Sequence, residues 1–277
     1  MERVCSIFSQ MLRLMPRGRF EEVVARHDGD KHAKGMTCWS QFVALLFCHL
    51  GGARSLREII QGLAASEGKL KHLGVSRAPT RSTLAYANEH RPWQVYQEVF
   101  EELLGLCQTE AKALKRRFRF RNPLVSLDAT VIPVSLSMFD WAAYRHRKGA
   151  VKLHLVLNHD GYLPQYAVLS DGKTADVTVA QQMEFAPGTI VVMDRGYEDH
   201  GWWRTLALNG VYFVSRLKDN TGYGIVGERA VPPGSNILRD EEITLVSEER
   251  HPQPMRLRRI EVWVPEKADT LVFVTNH

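Results

Sequence analysis

The tightest constraint on this chain is a change of hydrophobic periodicity near residue 120. From there, stretches 124–134 (LVSLDATVIPV), 151–157 (VKLHLVL) and 162–169 read as strands, with Asn158-His-Asp-Gly161 as the turn between the second and third. Residues 174–184 read as a helix and 189–194 (TIVVMD) as a buried strand. Residues 198–209 then form a second helix closed by Gly210, and 211–217 a further strand. The order β-β-β-α-β-α-β predicts a mixed α/β domain, because strands separated by helices must share a sheet that the helices cover.

Ahead of residue 120 the periodicity is helical. Residues 39–50 form an apolar stretch ending at Gly51-Gly52, and Ser55-Leu-Arg-Glu58 is a capping-box pattern opening a second helix through Leu63. A third starts at Thr80 or Ser82 and stops at Arg91-Pro92, since proline disfavours helical geometry in the residue before it. A fourth, 93–106, carries Val95, Val99, Phe100, Leu103 and Leu106 on one stripe. Residues 70–84 (LKHLGVSRAPTRSTL) resemble the turn and start of a helix-turn-helix reader, with Arg77, Arg81, Ser82 and Thr83 available for phosphate or base contacts; the alternative is a basic loop between bundle helices. Lys115-Arg-Arg-Phe-Arg-Phe-Arg121 follows, and Arg116, Arg117 and Arg119 can lie along a phosphate backbone or simply be solvated. The domain boundary is expected here, giving a helical DNA-binding domain over 1–120 and an α/β domain over 121–277.

Residues 218–268 turn polar, with Gly222, Gly224, Gly227 and Pro232-Pro233-Gly234 between alternating stretches such as 256–264 (RLRRIEVWV). Alternation broken by turn residues predicts a β-rich insertion of antiparallel strands. The last stretch, 270–277 (TLVFVTNH), reads as one more strand.

The longest apolar run, 42–50, has nine residues and contains His49, short of the roughly 20 needed to cross a bilayer. The N-terminus carries Glu2 and Arg13 without a continuous apolar core, so no signal peptide is expected and the protein is placed in the cytoplasm, with the nucleoid. Cys5, Cys38, Cys48 and Cys107 form no C-x-x-C pair and are expected to be reduced packing residues. The net charge of +5 suits a polyanionic partner.

Two carboxylates stand out. Asp128 interrupts an apolar strand, where a charge is costly unless paired or bound to a cation. Asp194 ends another and is followed by Arg-Gly-Tyr. Presented side by side, they can share divalent ions, magnesium or manganese, which activate the attacking oxygen and stabilise the leaving one in phosphoryl transfer. Capping of a following helix is the competing role, and suits Asp194 better than Asp128.

SLDATVIPV at 126–134, GAVKLHLVLNHDGYLP at 149–164, DGKTADV at 171–177 and VVMDRGYEDHGWW at 191–203 resemble, in order, the core blocks of the insertion-sequence-four-type family of DDE transposases. The resemblance implies a ribonuclease H-like catalytic core and metal-dependent cleavage and joining of transposon-end DNA by paired subunits. It makes Asp128 and Asp194 the first two members of an acidic triad. The third is a glutamate in a Tyr-Arg-Glu-Lys helix after the insertion. Glu241, Glu242, Glu248, Glu249, Glu261 and Glu266 lack that context, and TLVFVTNH resembles the strand before that helix, so a truncated chain is expected. The alternative function is then a DNA-binding remnant that does not cut.

Lesser candidates for DNA contact are Lys152 and His154, on one face of a strand by period two, and Arg195 and Tyr197 beside Asp194. Others are Arg145, Arg147 and Lys148 in the aromatic and cationic stretch 139–148, and Trp263, which could stack on a flipped base. For each, an ordinary packing, capping or loop role is the alternative.

Overall fold

The computed structural model describes residues 7–111, 118, 120–134, 143–145, 148–248 and 252–277, and the chain divides into two compact units, Met1–Cys107 and Gln108–His277. The first is helical: α1 (Ile7–Leu12), α2 (Arg17–Arg26), α3 (Cys38–Gly51), α4 (Leu56–Ala65), a 3-10 turn at Glu67–Leu73, α5 (Arg81–His90) and α6 (Gln94–Ala111), within which the division falls. The last four α-helices follow the expected order. Side-chain oxygens set three of their starts, since Thr37, Ser55 and Thr80 accept from the backbone N–H of Ser40, Glu58 and Thr83. Glu58 closes the capping box one residue earlier than usual, on the Arg54 N–H at 2.8 Å. Helices α1 and α2 escaped periodicity because the first has six residues and the second follows Pro16, which offers no side-chain cap.

Phe20, Trp39, Val43, Leu63, Leu84 and Val95 form the centre of this unit's core. Buried Gln41 ties α3 to α5 through Asn88 and accepts from Arg91, which also donates to the Met36 carbonyl. Burial pushes the Cys38 thiol up to about 12, so it is an inert packing group as expected. Cys48 and Cys107 are free thiols as well, the latter exposed, and Cys5 lies outside the described residues.

The second unit is built on a sheet of ten strands among the described residues: β1 (Leu124–Val134), β2 (Ala143–Arg145), β3 (Lys148–Asn158), β4 (Leu163–Asp171), β5 (Ile190–Met193), β6 (Tyr212–Ser215), β7 (Tyr223–Glu228), β8 (Ile237–Leu245), β9 (Arg256–Val264) and β10 (Asp269–Thr275). β3 pairs β1 and β4 antiparallel, β1 runs parallel to β5 and β5 to β6. The insertion continues the same sheet, because β10 pairs β6 antiparallel and leads on through β9 and β8 to β7. Among the described residues no helix is long and apolar enough to cross a membrane.

Two helices were expected to be longer. Of 174–184 only α7 (Asp176–Ala180) is helical: Val177, Thr178 and Val179 are β-branched, and turn bonds from Gln182 and Met183 end it. Of 198–209 the helix α8 covers His200–Leu208, capped by Asp199 accepting from Trp202 at 2.8 Å, while Arg195–Tyr197 forms a separate 3-10 turn. Trp202, Trp203 and Leu206 of α8 pack with Val125, Leu127, Val191, Met193 and Phe213 in one core. The alternate residues on the opposite sheet face, among them Leu153, Leu155, Ile190 and Val192, are only half-buried.

The insertion is held by arginine and carboxylate pairs across β8 and β9. Asp240 accepts from Arg258 at 2.8 and 2.5 Å, Glu241 from Arg259 at 2.7 Å and Glu242 from Arg256 at 2.9 Å. Arg258 holds the buried Asp240 carboxyl below the usual carboxylate range. A depressed folded value contributes stability that is complete above the unfolded value of about 3.9 and is lost as pH falls through the folded one. The gap in melting temperature between the native protein and Asp240→Asn should therefore be wide at pH 7 and narrow towards pH 3. A gap independent of pH would contradict this.

Candidate functional site

Leu127 of β1 pairs in parallel register with Met193, the last residue of β5. Asp128 and Asp194 occupy the next position along each run, so the pairing of the two apolar runs sets the two aspartates at neighbouring backbone positions. β5 stops there while β1 continues, leaving both aspartates exposed. Asp128 Oδ1 accepts from the Ala129 N–H at 2.8 Å. Asp194 Oδ1 accepts from the Gly196 N–H at 2.9 Å, and its carbonyl accepts from Ser215 Oγ at 3.1 Å. Capping and cation binding are thus compatible for Asp194, since one oxygen orients the carboxylate and the other stays available. Gly196 makes this turn possible: a Cβ there would lie 2.9 Å from Asp194 Oδ1.

Hard oxygen donors at a solvent-facing strand end suit a magnesium-like ion, which keeps much of its water and needs few carboxylates. No group of three or more His, Cys, Asp or Glu side chains among the described residues has the geometry to hold a metal ion. Glu241 and Glu242 are spent on arginines, Glu261 lies 3.4 Å from Arg259, and Glu266 sits in an exposed 3-10 turn. Glu248 ends another 3-10 turn and Glu249 is outside the described residues.

The lesser candidates divide clearly. His154 and Lys152 do share a face of β3, and it is the covered one: Lys152 Nζ is 2.9 Å from Asp176 Oδ1 and donates to the Thr174 carbonyl at 2.8 Å. His154 is fully buried, its Nε2 2.7 Å from Ser170 Oγ, and desolvation holds its pKa down, so the ring is neutral at pH 7. Tyr197 is 1% exposed and its phenol is pushed up by burial, with Asp176, Asp128 and Asp194 adding to the shift. With both rings buried, any part they play in chemistry passes through neighbours rather than by touching DNA. Arg195 is half exposed and pairs with Asp219 at 3.2 Å. Trp263 is 40% exposed on β9, and Arg77 and Arg81 are exposed, the latter as the first residue of α5. Arg116, Arg117, Arg119 and Arg147 lie outside the described residues, and Arg145 and Lys148 are described only as strand backbone.

Two participants were not singled out from the sequence. Asp176 opens α7 beside Lys152, and only its place in the DGKTADV block marked it. Glu198, whose side chain is 5% exposed, accepts from the Lys218 N–H, Thr221 Oγ1 and His200 Nε2, while His200 Nδ1 meets Ser247 Oγ at 2.6 Å. It pins the start of the insertion to the turn carrying Asp194.

Comparison with known proteins adds two matches to families. A domain of unknown function, DUF4372, matches residues 4–76, and the Transposase DDE domain matches residues 119–270. A protein of Sinorhizobium fredii (strain NBRC 101917 / NGR234) named as a transposase, y4zB, is 29% identical over 203 residues, covering 72% of this chain and 55% of that protein. One of Geobacillus stearothermophilus, named as a transposase for insertion sequence element IS5377, is 27% identical over 139 residues, covering 50% of this chain and 36% of that protein. The chain therefore spans about half the first relative's length and about a third of the second's.

Proposed function

The chain belongs to the Transposase DDE domain family, and we propose that it acts on the ends of an insertion sequence of the insertion-sequence-four type, cutting and rejoining DNA with divalent ions held by Asp128 and Asp194. The observation that carries this is the parallel register of Leu127 with Met193, which sets two exposed aspartates next to each other at the end of β5. The strand and helix order supports a ribonuclease H-like core. Magnesium or manganese, when bound, would polarise the phosphodiester and lower the barrier to attack by water or a 3′-hydroxyl. The chain's own part is to fix the ligands. β1 carries Asp128 in mid-strand, and the Gly196 and Ser215 hydrogen bonds hold the turn carrying Asp194. DNA contact is assigned to Arg195 and Trp263 beside and beyond this site, to Arg145, Arg147 and Lys148, and to Arg116, Arg117 and Arg119. Arg77 and Arg81 on the helical unit complete the set, and the acting form is a homodimer on paired ends.

A second function, DNA binding without cutting, is favoured by the lack of a three-ligand metal group among the described residues. Incubation of supercoiled DNA bearing the element's ends with the protein separates the two. Nicking that appears with Mg²⁺ or Mn²⁺ and vanishes with chelator supports cutting. End-specific retardation in gels with no nicking under any divalent ion would overturn it and leave binding alone.

A further inference from the structure

Behind the exposed aspartate pair, on the covered face of the sheet, lies a second set of charges that the two-carboxylate site does not use. α7, which Asp176 opens, packs against the 3-10 turn Arg195–Tyr197 that follows Asp194. Asp176 Oδ1 is 2.9 Å from Lys152 Nζ and 3.9 Å from His154 Nδ1. The Lys152 and Asp176 side chains are 15% and 30% exposed, so their charges are poorly screened by solvent. Two atoms in this place are buried without a hydrogen-bond partner among the described residues: the Tyr197 hydroxyl and His154 Nδ1. Such groups are few in native structures and call for an explanation, such as strain, chemistry or a bound water or ion. Burial, and after it the charges of Asp176, Asp128 and Asp194, keeps the Tyr197 hydroxyl protonated. Lys152 is the cation paired with Asp176 in this place.

We propose that the Lys152–Asp176 pair is a positioning and charge-setting device for the ion site, Asp176 raising its affinity for a divalent cation and Lys152 lowering it. The proposal rests on Asp128 and Asp194 being the ion's ligands. An ion at those aspartates is attracted by a third negative charge across the sheet and repelled by the ammonium beside it. A purely structural pair would behave differently, because removing either partner would break the same contact between β3 and α7.

The test is Mn²⁺ affinity of the whole chain, read from free Mn²⁺ by electron paramagnetic resonance, with a thermal melt of each variant. Asp176→Asn should weaken Mn²⁺ binding about 10-fold or more, the scale of outer-shell losses at metal sites. Lys152→Met should strengthen it, and Asp176→Glu, which keeps the charge, should stay close to the native protein. Weakening by both Asp176→Asn and Lys152→Met, or no change in either, would overturn the proposal. If Asp128→Asn also leaves Mn²⁺ affinity unchanged, the failure belongs to the underlying assignment of the ion site.

Discussion

Replacing Asp194 with asparagine is expected to reduce metal-dependent nicking of end-bearing DNA by more than about 100-fold, beyond the range that loss of an outer-shell partner costs. Asparagine keeps the size and the hydrogen bond from the Gly196 N–H, which is 2.9 Å from Asp194 Oδ1, so the turn at Arg195–Tyr197 should survive. What it removes is the negative charge that a dication needs. Asp128→Asn should cost as much, and the double variant little more than either alone, because residues that act on one ion act as a unit. End-specific DNA binding should persist in all three. Loss of binding together with nicking would mean that the substitutions disturb the fold and not the ion.

Trp203→Ala should be the most destabilising single truncation near the site. Trp203 is 0% exposed and stacks on Phe213 with ring centroids 4.8 Å apart, and these two join α8 to the strand next to β5. A buried tryptophan cut to alanine costs about 3–5 kcal/mol, which in a unit of this size lowers the melting temperature by roughly 10 °C. Because α8 packs beneath the strands that lead to Asp194, nicking should fail at temperatures where the native protein still works. Trp203→Phe should cost less than half as much, since it keeps most of the volume and removes an indole N–H that has no partner among the described residues. Calorimetry of the three proteins decides it, and an alanine variant that melts with the native protein would contradict the packing argument.

How legible each part was follows from the physics of its signal. Apart from the three-residue β2, which the sequence reading missed, the strand and helix order of 124–217 could be read because buried parallel strands are short apolar runs closed by turn residues, and LVSLDATVIPV and TIVVMD are such runs. Asp128 and Asp194 were visible for the converse reason, as charges where the pattern calls for apolar groups. Pairing was not visible: nothing in the sequence of β10 says that it joins β6 and makes the insertion part of the main sheet, because register is set by contacts between distant segments. Nor could sequence show that Lys152 and His154 face the covered side, where Asp176 and Ser170 occupy them. Period two gives a shared face without saying which face it is. Asp176 carries no separate signal in the sequence, because an aspartate in the first turn of a helix is already explained by the helix dipole.

The central claim is that Asp128 and Asp194 share a divalent ion, and the most direct measurement is a crystal of the protein soaked in Mn²⁺ and measured for anomalous scattering. A manganese peak between the two carboxylates, absent in the Asp128→Asn and Asp194→Asn crystals, is the predicted result. A soaked crystal with manganese bound elsewhere and none at these two aspartates would contradict it.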